Sequence, residues 1–314
     1  MSLDPPGWLD GGMDVSITNV HLDLGAGRRG TDMGPSAIHV AGLVPRLEGI
    51  GHRIVSVEPI DVRSMENSDV GDPSARFLPA IHRTCSLLAD RVEVALASGA
   101  FPLVLGGDHA QAIGTISGLV RHYRRQGERV GVVWVDAHTD MNTPDSSPTG
   151  NIHGMPLAAL LGRGRKELVD LVGGGAPALD PRDVVIIGAR DVDPSEAPLV
   201  KELGVKVFTM TDIDLHGLAH CVREAYAIAT EGTAGVHLSF DLDGVDPKDA
   251  PGVGTPVPGG LTLRESHVIC EMASRTGKLL GMEMVELNPT MDVRNQTGEL
   301  AAWLIESALG KTIL

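Results

Sequence analysis

Histidine and carboxylate side chains follow four apolar runs of the sequence that are typical of buried strands. These segments are Gly106-Gly-Asp-His109, Asp136-Ala-His-Thr-Asp140, Asp241-Leu-Asp243 and Glu286. In an open parallel α/β sheet, functional residues gather in the loops just past the carboxyl ends of the strands. We therefore expect the four segments to meet at one edge of a sheet.

The spacing of Asp136, His138 and Asp140 predicts that their side chains act together. On an extended segment, positions i, i+2 and i+4 point to the same side, and Asp241 and Asp243 repeat this spacing with two carboxylates. Such like charges resist burial at a strand end unless a cation compensates them. The alternative is a solvated acidic loop with an incidental histidine, and for Asp241 and Asp243 alone both interpretations are equally good. The combination of both segments with a histidine from a third favours a metal site.

The candidate ligands are His109, Asp136, His138, Asp140, Asp241 and Asp243. Six side chains are too many for one catalytic ion that keeps a position open, but they suit two ions bridged by carboxylates. No thiolate is included, so a structural zinc site is disfavoured. Mixed oxygen and imidazole ligands suit Mn²⁺, with Fe²⁺, Co²⁺ and Zn²⁺ as alternatives. Such a near-neutral cluster can bind a hydroxide and still admit a cationic substrate.

Short β-branched runs alternate with segments of helical periodicity, which predicts a parallel sheet with helices on both faces. The predicted strands are Val15–Val20, Ile54–Glu58, Pro102–Leu105, Val130–Val135, Val184–Ile187, Val205–Thr209, Val236–Phe240 and Leu280–Val285. The predicted helices are Pro35–Leu47, Ala75–Ala97, Gln111–Gln126, Ser195–Leu203, Gly217–Thr230, Leu263–Arg275 and Gly298–Leu309. Thr262-Leu-Arg-Glu265 is a capping box at the start of one of them. No composition shift divides residues 1–314, so we expect a single domain.

Composition narrows the classes of function. The 314 residues include 26 basic and 41 acidic side chains, which gives a net charge of −15 and a pI near 5.1. This balance disfavours nucleic-acid binding, which depends on Lys and Arg meeting phosphates. We expect no membrane span and, from the Met1–Gly7 segment, no signal peptide. The odd number of widely spaced cysteines predicts reduced, buried thiols and a cytoplasmic protein.

Five motifs, which contain the segments described above and occur in order along the chain, make the sequence resemble the ureohydrolase family. This family includes arginases, agmatinases, formiminoglutamases and guanidino-acid hydrolases. The motifs are Gly106-Gly-Asp-His109, Asp136-Ala-His-Thr-Asp-Met-Asn142, Gly150-Asn-Ile-His-Gly154, Ser239-Phe-Asp-Leu-Asp-Gly-Val-Asp-Pro247 and Val285-Glu-Leu-Asn-Pro289. The likeness extends from the Leu22–Pro35 segment nearly to the C-terminus and is greatest to arginases. It implies a three-layer α/β/α fold with an eight-stranded parallel sheet, two Mn²⁺ ions, and hydrolysis of a guanidinium group to an amine and urea. It also implies a homotrimer or homohexamer.

The resemblance assigns roles around the metals. One ion would be held by His109, Asp136, Asp140 and Asp241, and the other by His138, Asp136, Asp241 and Asp243, with Asp136 and Asp241 bridging. A metal-bridging hydroxide would attack the guanidinium carbon. His153 would transfer a proton, Glu286 would face the guanidinium, and Asp140 is included with these two among the catalytic residues.

The resemblance also implies how the substrate is chosen. Neutral donors for an α-carboxylate would come from Asn142, Ser147, Thr149 and Asn151. Asp193 and Glu196 would meet an α-ammonium, and Thr255 would be a further active-site group. This set favours L-arginine over agmatine or a guanidino acid. A catalytically silent metal-binding member and a dinuclear phosphoesterase remain the alternatives from other classes.

Three features of the sequence depart from, or compete with, these assignments. His21 replaces a proline that is usual near the first strand, and Ala110 follows His109 where arginases often have serine. Neither change touches a predicted ligand. Gly25-Ala-Gly-Arg-Arg-Gly30 fits a dinucleotide-binding pattern, but Pro35 places the next helix start beyond the motif, which disfavours that use.

Overall fold

Eight parallel strands form one sheet in the computed structural model, which describes residues 12–313; the Met1–Gly7 segment lies outside them. The strands are β1 Asp14–Val20, β2 Arg53–Pro59, β3 Phe101–Gly106, β4 Gly131–Val135, β5 Val184–Ala189, β6 Lys206–Thr209, β7 Val236–Asp241 and β8 Leu279–Val285. Their order is β2-β1-β3-β8-β7-β4-β5-β6. Each predicted strand is confirmed. The four that precede the candidate ligands are adjacent at the centre of the sheet.

Helices cover both faces of this sheet. They are α1 Gly34–Val40, α2 Leu43–Gly49, α3 Leu78–Ala97, α4 Ala112–Arg124, α5 Pro156–Leu160, α6 Lys166–Val169, α7 Ala197–Leu203, α8 Met210–His216, α9 Leu218–Thr230, α10 Leu263–Arg275 and α11 Gln296–Ala308. Alternate residues of a central strand pack on opposite sides: Val133 joins the core under α1, α2 and α8–α11, and Trp134 joins the core under α4, α5 and α7. The predicted three-layer α/β/α architecture is confirmed.

The helices differ from the sequence-based expectation in two ways. The predicted helix Pro35–Leu47 is two helices, because Gly42 adopts a left-handed conformation with φ of 81° between α1 and α2. The short helices α5, α6 and α8 were not predicted, since four to seven residues give too little periodicity to detect. The capping box at Thr262 and Glu265 is confirmed at the start of α10.

All three cysteines, Cys85, Cys221 and Cys270, are free and buried, as the sequence predicts. Burial raises the pKa of the Cys85 thiol, which lies in the α3 core. Among residues 12–313, no helix is both long and apolar enough to cross a membrane.

Close packing of α4 on α3 depends on two glycines of α4. A Cβ at Gly114 would approach the backbone of Cys85 to 2.6 Å, and one at Gly118 would lie 2.8 Å from the Cβ of Val92. These distances are shorter than ordinary van der Waals contact, so only glycine allows the present helix separation. Because α4 begins three residues after His109, this packing also places that histidine.

We expect Gly118→Ala to lower the free energy of unfolding by about 1–3 kcal/mol, because α3 cannot move aside without disturbing its own core contacts. Gly49→Ala is the matched control, since a Cβ there meets nothing within 4 Å. It should be neutral or slightly stabilising. Urea denaturation of both variants measures the difference, and equal stabilities would contradict this account of the α3–α4 contact.

Candidate active site

The carboxyl ends of the four central strands bring the candidate ligands together. His109 follows β3, Glu286 follows β8, Asp241 ends β7 and Asp136 follows β4. The chain builds β1–β3 on one side of the sheet, crosses to β4–β6 on the other, and returns to insert β7 and β8 between them. Such a change of direction leaves a crevice between diverging loops, where α/β proteins bind ligands.

The first potential metal-binding group consists of His109, Asp136 and Asp241, whose ligand atoms lie within 4.8 Å of one another. Nδ1 of His109 is 3.1 Å from Oδ2 of Asp241 and 3.3 Å from Oδ2 of Asp136. It is also 3.1 Å from Oδ2 of Asp140. Both Nδ1 of His109 and Oδ2 of Asp140 are buried without a hydrogen-bond partner. A cation held among these atoms would satisfy both.

The second group consists of Asp136, His138 and Asp243. Nδ1 of His138 lies 3.3 Å from Oδ1 of Asp136 and 3.1 Å from Oδ2 of Asp243. Asp136 thus directs one oxygen to each group, which is the arrangement that a bridging ligand requires. Asp241 belongs to the first group only, so its bridging role remains a prediction. Thr255 donates a hydrogen bond of 2.8 Å to Oδ2 of Asp243.

The segment from Asp136 to Asp140 is not extended, so the reason given for its convergence is wrong although the side chains do converge. The chain turns back after Asp136, whose Oδ1 accepts a 2.7 Å hydrogen bond from the backbone N–H of His138. Asp140 then adopts φ of 50°, a left-handed conformation that is uncommon outside glycine. Asp243 lies in a single turn of 3₁₀ helix and not in a strand. These turns are too short to read from sequence spacing.

Burial and mutual repulsion raise the pKa of three of these carboxylates, whereas hydrogen bonds with His109 and His138 outweigh burial and hold the pKa of Asp136 well below its usual value. Burial, reinforced by Asp243 and Asp136, raises the pKa of Asp241 well above its usual value. Burial and Asp136 raise the pKa of Asp140 to about 7. Burial works against a charged His109, yet the surrounding aspartates raise its pKa well above the usual range. A set of buried oxygen and imidazole donors under this repulsion is suited to divalent cations.

Above the ligands lies a cavity of about 260 Å³. Five candidate ligands line it: His109, His138, Asp140, Asp241 and Asp243. The lining also includes His153 and every predicted substrate-binding residue except Glu286: Asn142, Ser147, Thr149, Asn151, Asp193, Glu196 and Thr255. Asp136 and Glu286 are not part of the lining and are almost completely buried. The structure therefore brings together all the predicted site residues.

Glu286 is held with one oxygen occupied and the other unpaired. Its Oε1 accepts a 2.9 Å hydrogen bond from the backbone N–H of His109 and lies 3.0 Å from Nδ1 of His153. Its Oε2 is buried and has no hydrogen-bond partner. Burial disfavours a charged His153, but Glu286, Asp108 and Asp140 outweigh it and raise the His153 pKa to about 9. This shift favours the protonated form of the His153 imidazole at neutral pH.

The outer part of the cavity is organised by a network of polar side chains. Nδ2 of Asn142 donates a 2.9 Å hydrogen bond to Oδ2 of Asp193. Glu196 is 3% exposed, and its carboxylate accepts hydrogen bonds from the Thr139 hydroxyl and the backbone N–H groups of Met141 and Asp193. Glu196 thus connects the segment of Thr139 and Met141 to the segment of Asp193. Because fewer groups donate hydrogen bonds to the Asp193 carboxylate than to that of Glu196, Asp193 is more available to a ligand.

Several residues of the site were not singled out from the sequence. Asp191 lines the cavity, and its position two residues before Asp193 was the available signal. Buried Asp108 accepts hydrogen bonds from the backbone of Gly25, Ala26 and Ala110. The glycine-rich segment from Gly25 therefore holds the loop that carries His109 in place. No helix begins within the Gly25–Gly30 pattern, since α1 begins at Gly34.

Neither of the two departures, His21 and Ala110, belongs to the ligand groups. Nδ1 of His21 is 2.7 Å from the backbone oxygen of Asp32, and the carbonyl of Ala110 accepts from the Cys85 thiol. Neither His21 nor Ala110 lines the cavity.

Comparison with known proteins agrees with this geometry. Residues 13–310 match the model of the arginase family. The arginase of Bacillus caldovelox is 46% identical over 301 residues, which are 96% of this chain and 99% of that protein. Its crystal structure superimposes with a TM-score of 0.92, covering 96% of this chain and 100% of the other. An Entamoeba histolytica arginase solved with L-ornithine is 31% identical, with a TM-score of 0.87, covering 96% of this chain and 100% of that one.

A family match over nearly the whole chain, together with a relative at 46% identity, extends the likeness from single motifs to the complete fold. The chain belongs to the arginase family and is an arginase-type hydrolase.

Proposed function

We propose that this protein hydrolyses the guanidinium group of L-arginine to L-ornithine and urea, using two Mn²⁺ ions. The observation that carries the proposal is a cavity with two ligand groups sharing Asp136 at its base and an unpaired carboxylate oxygen of Glu286 beside them. A planar guanidinium is the donor that such a buried oxygen would accept. The net charge of −15 also favours a cationic substrate.

The residues that would hold the metals are His109, Asp136, Asp140 and Asp241 for one ion and His138, Asp136, Asp241 and Asp243 for the other. Bound divalent cations supply a nucleophile at neutral pH by lowering the pKa of water. The protein contributes the fixed positions of these side chains, since backbone N–H groups hold the carboxylates of Asp136, Asp241 and Asp243.

His153 and Glu286 act on the substrate itself. Glu286 receives guanidinium N–H groups at Oε2 and orients the carbon for attack. His153, protonated at neutral pH and hydrogen-bonded to Glu286, donates a proton to the departing amine. Asp140 acts at the same end of the cavity as a metal ligand, through the oxygen that lies 3.1 Å from Nδ1 of His109.

The outer loops select the amino-acid end of the substrate. Asn142, Ser147, Thr149 and Asn151 surround the cavity and would donate hydrogen bonds to the α-carboxylate. Asp193 would pair with the α-ammonium, with Glu196 holding it in place. The E. histolytica arginase was solved in complex with L-ornithine, which supports an α-amino acid as a ligand of this cavity.

We also infer that residues 1–314 form one domain that assembles into a cytoplasmic homotrimer or homohexamer. The single-domain proposal is supported by a sheet whose strands come from both ends of the chain. Free, buried cysteines are compatible with a reducing compartment.

Removal of metal should abolish urea release, and Mn²⁺ should restore it best, at two ions per chain. Asp136→Ala should be the most damaging ligand change, because Asp136 is shared by both groups. Elemental analysis and a urea assay of chelator-treated and reloaded protein measure both expectations. One ion per active chain, or full metal content in Asp136→Ala, would refute the dinuclear assignment.

His153→Asn should keep both metals but reduce kcat by about 10²–10⁴. The raised pKa near 9 means that the proton is present below this pH and is lost as the pH rises through it. The parent profile of kcat should therefore have a descending limb near pH 9 that the variant lacks. Identical profiles with equal metal content would assign His153 no part in proton transfer.

L-arginine should exceed agmatine in kcat/KM by at least ~100-fold, because agmatine leaves the polar groups of the rim unpaired. Asp193→Ala should reduce turnover of arginine with little effect on agmatine. Asp145 is an exposed aspartate of the separate Asn142–Asn151 loop and does not line the cavity, so Asp145→Ala is the control. A parent that prefers agmatine or a guanidino acid would overturn the substrate assignment and leave the metal assignment intact.

A further inference from the structure

A fully buried carboxylate, Glu283, lies in the middle of β8 and is outside the cavity described above. Its exposure is 0%, and within residues 12–313 it forms no ion pair with a lysine or arginine. Burying such a charge is costly unless it is hydrogen-bonded and compensated. The neighbouring side chains must therefore supply hydrogen bonds that stabilise the Glu283 carboxylate.

Four side chains surround Glu283. Oε1 accepts a 2.9 Å hydrogen bond from the Ser239 hydroxyl and lies 3.4 Å from Nε2 of His237. Oε2 accepts hydrogen bonds from the Thr115 hydroxyl at 2.8 Å and from Nε2 of Gln111 at 3.3 Å. These residues come from β7 and from the segment that follows His109.

The Ser239 hydroxyl connects Glu283 to His109. A carboxylate oxygen can only accept from it, so the hydroxyl proton is directed to Glu283. Its oxygen must then accept from Nε2–H of His109, 2.8 Å away. In the neutral imidazole, which is the form that binds a metal, this places the proton on Nε2 and leaves the lone pair on Nδ1. Nδ1 is the atom that faces Asp136, Asp140 and Asp241.

The hydrogen bond to Ser239 and a stacking contact together fix the plane of the His109 ring. The indole of Trp134 stacks on it with centroids 4.1 Å apart and an interplanar angle of 15°. Gln111 reaches Glu283 past Gly106, where any Cβ would overlap the Gln111 amide. The ring thus has one stacking partner and one hydrogen bond, and the hydrogen bond depends on Glu283.

We propose that Glu283 is a positioning residue for metal binding, which acts through Ser239 to hold His109 with Nδ1 free for the cation. The inference rests on the proposed metal-dependent function. A carboxylate that accepts from a ligand histidine, here through one hydroxyl, fixes its orientation and increases its basicity as a ligand. A cation bound at His109 would also compensate this buried charge, which has His237 beside it but no lysine or arginine partner among residues 12–313.

The test compares Mn²⁺ dissociation constants of metal-free parent, Glu283→Gln, Ser239→Ala and the double variant, measured by calorimetric titration. We expect each single change to weaken Mn²⁺ binding at the site that includes His109 by about 10- to 100-fold. The double variant should bind no more weakly than the worse single variant, because both changes break the same connection. A purely structural role would not produce this non-additivity.

Glu306→Gln is the matched control, since Glu306 is another buried carboxylate, on α11, and pairs with Arg46 and Lys311 away from the site. It should leave Mn²⁺ affinity unchanged. Affinity of Glu283→Gln within about threefold of the parent, or additive losses in the double variant, would overturn the inference. If Glu283→Gln does not fold, unchanged affinity in Ser239→Ala overturns it equally. A parent that binds no Mn²⁺ would instead refute the proposed function.

Discussion

The structure is organised around four carboxylates that are buried side by side at the carboxyl edge of the sheet. Asp136, Asp140, Asp241 and Asp243 are each at most 6% exposed. Burial and neighbouring like charges raise the pKa of Asp140, Asp241 and Asp243 and oppose folding. Two imidazoles and a set of backbone N–H groups offset part of that cost. A divalent cation would compensate the remaining charge, and the arrangement of β3, β8, β7 and β4 at the centre of the sheet brings together the side chains that would hold it.

Holding these groups in place demands unfavourable backbone geometry at two positions. Asp140 and Glu286 have φ of 50° and 65°, and such conformations persist only where the surroundings enforce them. The carbonyl of Asp140 accepts hydrogen bonds from the first turn of α5, and the N–H of Glu286 donates to Gly107. The short helix α5 thus stabilises the left-handed conformation of Asp140.

The sequence predicts the parts of the molecule that repeat a simple pattern. Apolar runs such as Val130–Val135 identify the strands, and the polar residues that follow them identify the site, because parallel strands end at a common edge. The turn after Asp136 was not predictable from spacing, since it depends on hydrogen bonds between a side chain and nearby backbone. The break at Gly42 and the relay through Ser239 depend on tertiary contacts, which no local pattern records.

The two ends of the cavity differ in the freedom their residues have. At the candidate metal site, His109 and Asp243 are each 1% exposed, whereas Thr149 lies at an exposed rim. An exposed loop tolerates substitution more readily than a buried strand end, so specificity could change while the hydrolytic chemistry stayed constant. Glu196 limits this independence. It accepts hydrogen bonds from the backbone N–H groups of Met141, next to Asp140, and of Asp193 at the rim. One buried carboxylate therefore connects the loop that follows β4 to the loop that follows β5, and a change that displaces Asp193 would also disturb the turn at Asp140.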